Sequence, residues 1–472
     1  MFWRYLSARY WIIIPILAAT IFYILPSGIL PFEDADEATY ALVVREMLRG
    51  GDWLTLHLFD QTWIDKPPLL FWLMAISAKI FGLKEFALRL PVALLGVVAI
   101  FLTTKISYEL TKNKLAALFG GLALVFFPLF LAAAKNVRFD VPVIAAILSA
   151  LFFFLRGRSR QTFLSGVGIS LAIGIMFKSI ISLLAVPVLL IFSFFLKDWR
   201  WIFNKYFWIG NLLGLSIAIP WHAYEIYVIG WEFLWRYFGF HFSLAAQNVI
   251  HSQITTGYAL WVFLKYSFPW SALFPVAIFT FLTLIRYLNF YPVLRPIISY
   301  GWSILVSVLA LSSVFALTGT KLITYFIPTY PFIVLFLAVV WSGAYQVTTE
   351  KWRVILKSVV WSALVIGAIF SFREAFINSR LYVTRTAADS KAIGLLLSQG
   401  QQWPIYLYEY QPDQTIQYYA QKRVEHLTEQ SSDNLSVQFY LVIPTDLVKE
   451  NPWLSDVTGL YSGKYLSLFE VK

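Results

Sequence analysis

Long apolar stretches separated by short polar breaks dominate the chain, in place of the alternating patterns that mark half-buried elements of a soluble fold. A helix needs about 20 apolar residues to cross a hydrocarbon core of about 30 Å. About eleven stretches meet this description, near 10–30, 87–110, 115–134, 140–156, 162–178, 179–196, 205–221, 258–285, 297–318, 322–341 and 353–372. Only Lys178 and Ser179 interrupt the pair across 162–196. The first stretch, Trp11 to Leu30, is too long and uninterrupted for a cleaved signal peptide and is expected to persist as a helix.

The polar breaks predict an orientation. Arg4 and Arg9 precede the first span, and alternate loops carry Lys112 and Lys114, Arg156, Arg158 and Arg160, Lys197, Arg200 and Lys205, Arg286 and Arg295, then Lys351, Arg353 and Lys357. With eleven spans all of these fall on one side, which the positive-inside rule makes cytoplasmic. The opposite loops are then Pro31–Phe86, Ala134–Asp140, His222–Gly257 and everything after Phe372. The loop Pro31–Phe86 holds two amphipathic stretches, Glu37–Arg49 and Pro68–Phe81, each too short or too polar to cross and each expected to lie along the interface.

The tail differs in kind. Thr386–Leu397 and Asp413–Ala420 read as helices, Pro404–Tyr410 and Val437–Ile443 as strands, and Tyr465–Val471 as an alternating edge strand. The expected fold is a polytopic α-helical membrane protein of about eleven transmembrane helices, with interfacial helices in its first outer loop and a small C-terminal soluble α/β domain. Residues 1–372 form the membrane domain, with 31–86 as its first outer loop, and 373–472 form the tail.

Composition agrees. Hydrophobic residues make up 59% and charged residues 13%, about half the charged fraction of an ordinary soluble domain. The net charge of +11 is uneven: Arg373 to Lys472 holds nine Lys/Arg against eleven Asp/Glu, so the excess belongs to the membrane domain. A basic chain can signal nucleic acid, but here the basic residues sit in short loops between spans, and a nucleic-acid partner is not expected. With no cysteine, disulfides and thiolate metal sites are excluded.

Ionisable groups at the outer edges are the candidates for chemistry, because burying charge near lipid is unfavourable without a partner or a task. Glu33, Asp34, Asp36 and Glu37 place four carboxylates in five positions. Either this is a solvated loop with Asp36 capping a helix, or one of them serves as a general base. Asp65-Lys66-Pro67-Pro68 is either a turn opening a helix or a rigidly held Lys facing an anion. Lys135, Arg138 and Asp140 form either a phosphate-gripping corner or an ion pair at a helix end. Lys178 lies at the outer end of the fifth span, and Lys321 and Tyr325, four apart, share a helix face. His222, His241 and His251 share one outer loop and permit a zinc site, without any tight ligand spacing. No Gly-rich phosphate loop or dinucleotide fingerprint is present.

These residues, taken in order, resemble a family. Asp36-Glu37-Ala38-Thr39-Tyr40, Arg45-Glu46-Met47-Leu48, Gly51-Asp52-Trp53 and Asp65-Lys66-Pro67-Pro68-Leu69 resemble the first outer loop of GT-C glycosyltransferases. The likeness is greatest to the aminoarabinose lipid A transferases, which are related to protein O-mannosyltransferases. It continues through Arg89-Leu90-Pro91, Arg138-Phe139-Asp140, Phe177-Lys178-Ser179, Pro220-Trp221, His251, Phe268-Pro269-Trp270 and Lys321-Leu322-Ile323-Thr324-Tyr325, so it covers most of residues 30–340.

The resemblance implies an inner-membrane enzyme with a cytoplasmic N-terminus and a periplasmic active site and tail. Such an enzyme moves a sugar from a polyprenyl-phosphate donor to a lipid, glycan or protein acceptor, usually with inversion. By the same likeness Asp36 takes the catalytic carboxylate position and Asp140 a second acidic one. Lys66, Arg138, Lys321 and Tyr325 grip the donor phosphate, with Glu37 and Lys178 as further candidates. Asp65 and His251 stand where some members hold a divalent metal such as Zn, Mg or Mn. The sequence departs from the family at Phe240-His241, where a Glu-His pair is common, at Ala245-Ala246, where an Arg follows, and at Ser179, where Gly often follows Lys. A lipid-glycan flippase and a ligase or polymerase of pyrophosphate-linked glycans are the alternatives, although the paired repeats of many transporters are not visible.

Overall fold

A computed structural model describes residues 11–32, 35–246, 256–317, 323–377, 386–411, 413–427 and 438–471. The chain divides into two compact units. The first comprises Met1–Ser27, Ile64–Leu73 and Arg89–Ser379; the second comprises Gly28–Trp63, Met74–Leu88 and Arg380–Lys472.

The first unit is helical. Among the described residues seven helices are long and apolar enough to cross a membrane, Glu85–Thr111, Asp140–Gly157, Gln161–Leu196, Lys205–Ile229, Leu294–Ser313, Thr324–Val347 and Glu350–Ile377. An eighth is added if Lys114–Val125 and Pro128–Ala134, bent by 64°, count as one span. Pro128 accounts for the bend, since it lacks the amide that would bond the Leu124 carbonyl four residues back; the Tyr23 hydroxyl donates to that carbonyl at 3.3 Å, and the Trp270 indole donates to the Phe126 carbonyl at the helix end at 2.9 Å. The first stretch read from sequence is the shorter helix Ile13–Gly28. The stretch 258–285 is two helices, Thr256–Tyr266 and Trp270–Arg286, divided at Phe268-Pro269.

The break at Lys178 and Ser179 is real. Helix Ser165–Lys178 ends there, and Ser179 turns the chain with φ 53° and ψ −145° into the 3-10 turn Ser179–Leu184, followed by helix Ala185–Leu196. Ser182 Oγ donates to the carbonyl of Gly174, eight residues earlier. In a straight helix these positions lie about 12 Å apart, so the apolar run 161–196 does not continue straight through this point.

Glycine lets two helices of this unit touch through their backbones. Helices Ser165–Lys178 and Lys205–Ile229 pack together extensively. Gly210 and Gly214 repeat at the four-residue spacing that brings membrane helices close. A Cβ added at Gly214 would stand 2.6 Å from the Gly168 carbonyl oxygen, and one at Gly210 would stand 2.5 Å from Ser165 Cα.

The second unit is an α/β layer. A hairpin pairs β1 (His57–Leu58) with β2 (Gln61–Thr62) through Phe59 and Asp60, both at positive φ as a tight hairpin turn requires. The main sheet has β3 (Ile405–Leu407), β4 (Glu425–His426), β5 (Phe439–Pro444), β6 (Thr458–Ser462) and β7 (Leu466–Val471) in the order β4-β3-β5-β7-β6. β3 is parallel to β4 and to β5, while β7 is antiparallel to β5 and β6. Helices Ala387–Gln399 and Gln414–Ala420 bury Ile393, Leu397 and Ile416 against Leu407, Val442 and Leu468 on one face, and Leu454 covers Phe439, Leu441 and Ile443 on the other. Coverage on both faces explains why β5 is a continuous apolar run. The strand Tyr465–Val471, expected at an edge, is instead flanked by β5 and β6, so β6 and β4 are the edges.

Candidate functional site

In the first unit, three segments distant in sequence meet. Pro67 and Pro68 are buried and open the helix Leu69–Phe81, whose first turn closes with Trp72 N–H donating to the Pro68 carbonyl at 2.9 Å. Just ahead of it Asp65 and Lys66 are half-buried, with the Lys66 ammonium 3.4 Å from the Asp65 carbonyl oxygen. Downstream, the Phe71 ring packs on Phe139 with centroids 5.5 Å apart. Upstream, Ile64 joins an apolar cluster with Met176, Trp221, Phe233 and Tyr237. The Asp65-Lys66 turn is therefore bracketed by contacts to the neighbours of Arg138 and Asp140 on one side and of Lys178 on the other.

Asp140 and Lys178 form the charged centre of this arrangement. Lys178 Nζ lies 2.6 Å from Asp140 Oδ1, and the two side chains are only 13% and 10% exposed. Asp140 opens helix Asp140–Gly157 and Lys178 closes helix Ser165–Lys178, so each charge meets the helix end whose dipole favours it. Arg138 is half-buried two residues before Asp140. The 3-10 turn Ile323–Thr329, which carries a half-buried Tyr325, packs against the helix Asp140 begins. Lys66, Arg138, Asp140, Lys178 and Tyr325 thus belong to one packed region of the first unit.

Other expected residues fall elsewhere. Lys135 is buried and donates to the Glu374 carbonyl at 2.8 Å, which makes it a structural tie between helix ends. Asp36 and Glu37 belong to the second unit, in the first turn of helix Ala35–Gly50. Because this helix begins at Ala35, Asp36 lies inside its first turn; it is exposed, whereas Glu37 is buried. Glu33, Asp34, Lys321 and His251 lie outside the described residues.

The Asp36 helix is fastened within its unit. The buried Arg45 guanidinium donates to the Tyr418 carbonyl at 3.3 Å and lies 3.6 Å from Glu46. Burial, and then the neighbouring Arg49, pull the Arg45 guanidinium below its ordinary value, and Glu46 opposes them. Glu85 accepts from Lys391 at 2.6 Å and from the Tyr419 hydroxyl at 2.7 Å, while Tyr419 oxygen accepts from the Phe32 amide at 3.0 Å.

Of the three histidines expected in one loop, His222 is helical, within Lys205–Ile229, and its Nδ1 is 2.8 Å from the Ala218 carbonyl oxygen. Among the described residues no group of three or more His, Asp or Glu side chains is arranged to hold a metal. The donor set for a metal is therefore not assembled by the described residues.

Glu225 escaped the sequence reading. It is 1% exposed, on the same helix as Trp221 and one turn beyond it. The hydropathy of 205–221 ended the expected span early and left Glu225 in a loop. The signal present was the i, i+4 spacing of Trp221 and Glu225, which puts both on one helix face.

The chain is similar to known proteins in sequence and in fold. Residues 65–224, the interval from Asp65 past Lys178, match the family described as dolichyl-phosphate-mannose-protein mannosyltransferase. An undecaprenyl phosphate-α-4-amino-4-deoxy-L-arabinose arabinosyl transferase of Pseudomonas fluorescens is 28% identical over 274 residues, 55% of this chain and 46% of that protein. The corresponding transferase of Enterobacter sp. is 26% identical over 283 residues, 58% of this chain and 50% of its own length. The alignments therefore span about half the length of these relatives. In three dimensions the chain is similar to the crystal structure of ArnT from Cupriavidus metallidurans bound to undecaprenyl phosphate, with a TM-score of 0.72, 18% identity and 98% of each chain covered. It is also similar to the apo oligosaccharyltransferase of Archaeoglobus fulgidus, with a TM-score of 0.59, 12% identity and coverage of 93% of this chain and 69% of that one. The chain thus shares the fold of these membrane transferases and is similar in sequence to the aminoarabinose transferase and O-mannosyltransferase branch of the GT-C glycosyltransferases.

Proposed function

We propose that the chain is an integral-membrane glycosyltransferase that moves a sugar from a polyprenyl-phosphate donor to a lipid, glycan or protein acceptor on the periplasmic side, with inversion. The observation that supports the reading is the largely buried Lys178–Asp140 pair, 2.6 Å apart, in the region where the neighbours of Lys66 and Arg138 pack, within the interval matched to the mannosyltransferase family. Cations preset in a low-dielectric site favour a reaction whose leaving group is an anion.

Breaking the bond between the anomeric carbon and the donor phosphate oxygen returns the electron pair to that oxygen. Lys66, Arg138, Lys321 and Tyr325 are assigned to the phosphate, where they stabilise the growing charge. Asp140 holds the Lys178 ammonium in place. Asp36 takes the acceptor proton when the acceptor is a hydroxyl and orients the acceptor when it is a phosphate. In this reading eleven spans place the N-terminus in the cytoplasm and the tail outside, and the P. fluorescens and Enterobacter relatives suggest an aminopentose as the sugar.

The test uses the full chain in proteoliposomes with a polyprenyl-phosphate sugar. Asp36→Asn should keep the fold and lose most transfer, and Lys66→Ala should weaken donor binding. Wild-type turnover in Asp36→Asn together with unchanged donor affinity in Lys66→Ala would reject the reading.

A further inference from the structure

A second basic corner of the first unit has no part in the proposed reaction. The loop after helix Asp140–Gly157 and the loop between Leu196 and Lys205 enclose a cavity of about 110 Å³, lined by Arg158, Gln161, Asp198, Arg200, Trp201 and Asn204. Asp198, 8% exposed at its side chain, lies between two guanidinium groups, with Arg158 Nε at 3.1 Å and Arg200 Nε at 3.1 Å. Arg158 uses Nε alone, whereas Arg200 uses Nε and also Nη2, at 3.4 Å from Asp198 Oδ2. Among the described residues both terminal nitrogens of Arg158 are without a protein acceptor. The same two loops also carry Arg160 and Lys197, outside the cavity lining, so the cavity itself holds two cations against one carboxylate.

The surroundings indicate which anion would fit. The corner sits where apolar helices end, the depth at which lipid head groups lie. Large aromatic side chains flank it in the open, with Phe203 84% exposed and Trp208 59% exposed. Exposed aromatics around a basic pocket suit the interface between acyl chains and head groups, and basic pockets between membrane helices suit acidic head groups. Asp198 does not repel such a guest, because its charge is already spent on two arginines, and its carboxyl is held below the ordinary carboxylate range by Arg200 and Arg158 in spite of burial, which acts the other way.

We propose that this corner binds the phosphodiester head group of an anionic glycerophospholipid, with Arg158 and Arg200 gripping the phosphate and Phe203 and Trp208 against its acyl chains. This site stands independently of the transferase reading.

Purified, delipidated full-length protein would be titrated with phosphatidylglycerol or phosphatidylcholine and followed by native mass spectrometry and thermal melting. Phosphatidylglycerol should bind more tightly and raise the melting midpoint further. Arg200→Gln, whose side chain is 89% exposed and so carries little folding risk, should weaken that binding about fivefold. Lys351→Gln, at an exposed position in the first turn of the helix Glu350–Phe372, should leave it unchanged. Equal binding of both lipids, an unaffected Arg200→Gln protein, or the same stabilisation by inorganic phosphate alone would overturn the proposal.

Discussion

Replacing Gly214 by alanine tests whether direct backbone contact between helices Ser165–Lys178 and Lys205–Ile229 sets the geometry of the candidate site. The new Cβ would stand 2.6 Å from the Gly168 carbonyl oxygen and 2.9 Å from Ala172 Cβ, where ordinary contact begins near 3.4 Å. The obstacle is backbone, so no rotamer change relieves it, and the helices must separate by roughly 0.8 Å at this point. Overpacking of this kind costs about 1–3 kcal/mol. The two helices carry Lys178 and Trp221, so the shift also reaches the region around Asp140, and a displacement near 1 Å can cost about 100-fold in rate. Thermal melting in nanodiscs and sugar transfer would be measured together. Gly50→Ala serves as control, since a Cβ there meets nothing within 4 Å. A Gly214→Ala protein with the melting midpoint and turnover of the wild type would refute the argument.

Further tests address other parts of the molecule. Lys178→Met leaves Asp140 buried beside an apolar chain and should destabilise by about 3 kcal/mol, while Asp140→Asn in the same protein should recover part of that loss; a double-mutant cycle with no coupling would show that the pair is not an energetic unit. Asp389→Ala removes the acceptor for Tyr461 Oη at 2.9 Å, Tyr465 N at 2.7 Å and Leu466 N at 3.1 Å, and should cost about 3 kcal/mol, seen as faster amide exchange in β7. Asp198 has a depressed pKa in the folded protein, so its stabilisation is complete above the ordinary carboxylate value near 3.8 and fades as pH falls through the lower folded value. Wild-type melting should therefore drop faster with acid than that of Asp198→Asn, and parallel curves would remove Asp198 from the balance.

Hydropathy made the long spans legible because each is a local property of about twenty residues. It read Lys178 and Ser179 as a break, and the backbone at Ser179 turns there. It could not read the partners of charges. Lys178 meets Asp140 across 38 residues, and Lys135, grouped in the sequence with Arg138 and Asp140, answers instead to a carbonyl 239 residues away. Short strands were hidden for a different reason. Glu425–His426 is two residues long and exposed, and Thr458–Ser462 is mostly exposed, so neither carries an apolar alternation. Tyr465–Val471 does alternate, which suggested an edge, yet β6 covers its outer side. The Asp65-Lys66 turn was legible as chemistry from its prolines, but its neighbourhood with Phe139 and Met176 is a tertiary fact.

The second unit draws on residues near both ends of the chain, and Arg45 reaches a carbonyl 373 residues away. Its inner strand Leu466–Val471 is synthesised long after the helix Ala35–Gly50. During biogenesis the helix bearing Asp36 can meet the hairpin segment soon after it is made, through Tyr40 and Trp63 with ring centroids 6.1 Å apart, but its tie from Arg45 to Tyr418 must wait for far more of the chain. Chains that stop before Tyr418 therefore lack the carbonyl that holds Arg45, so the anchoring of this helix depends on synthesis reaching a segment distant in sequence.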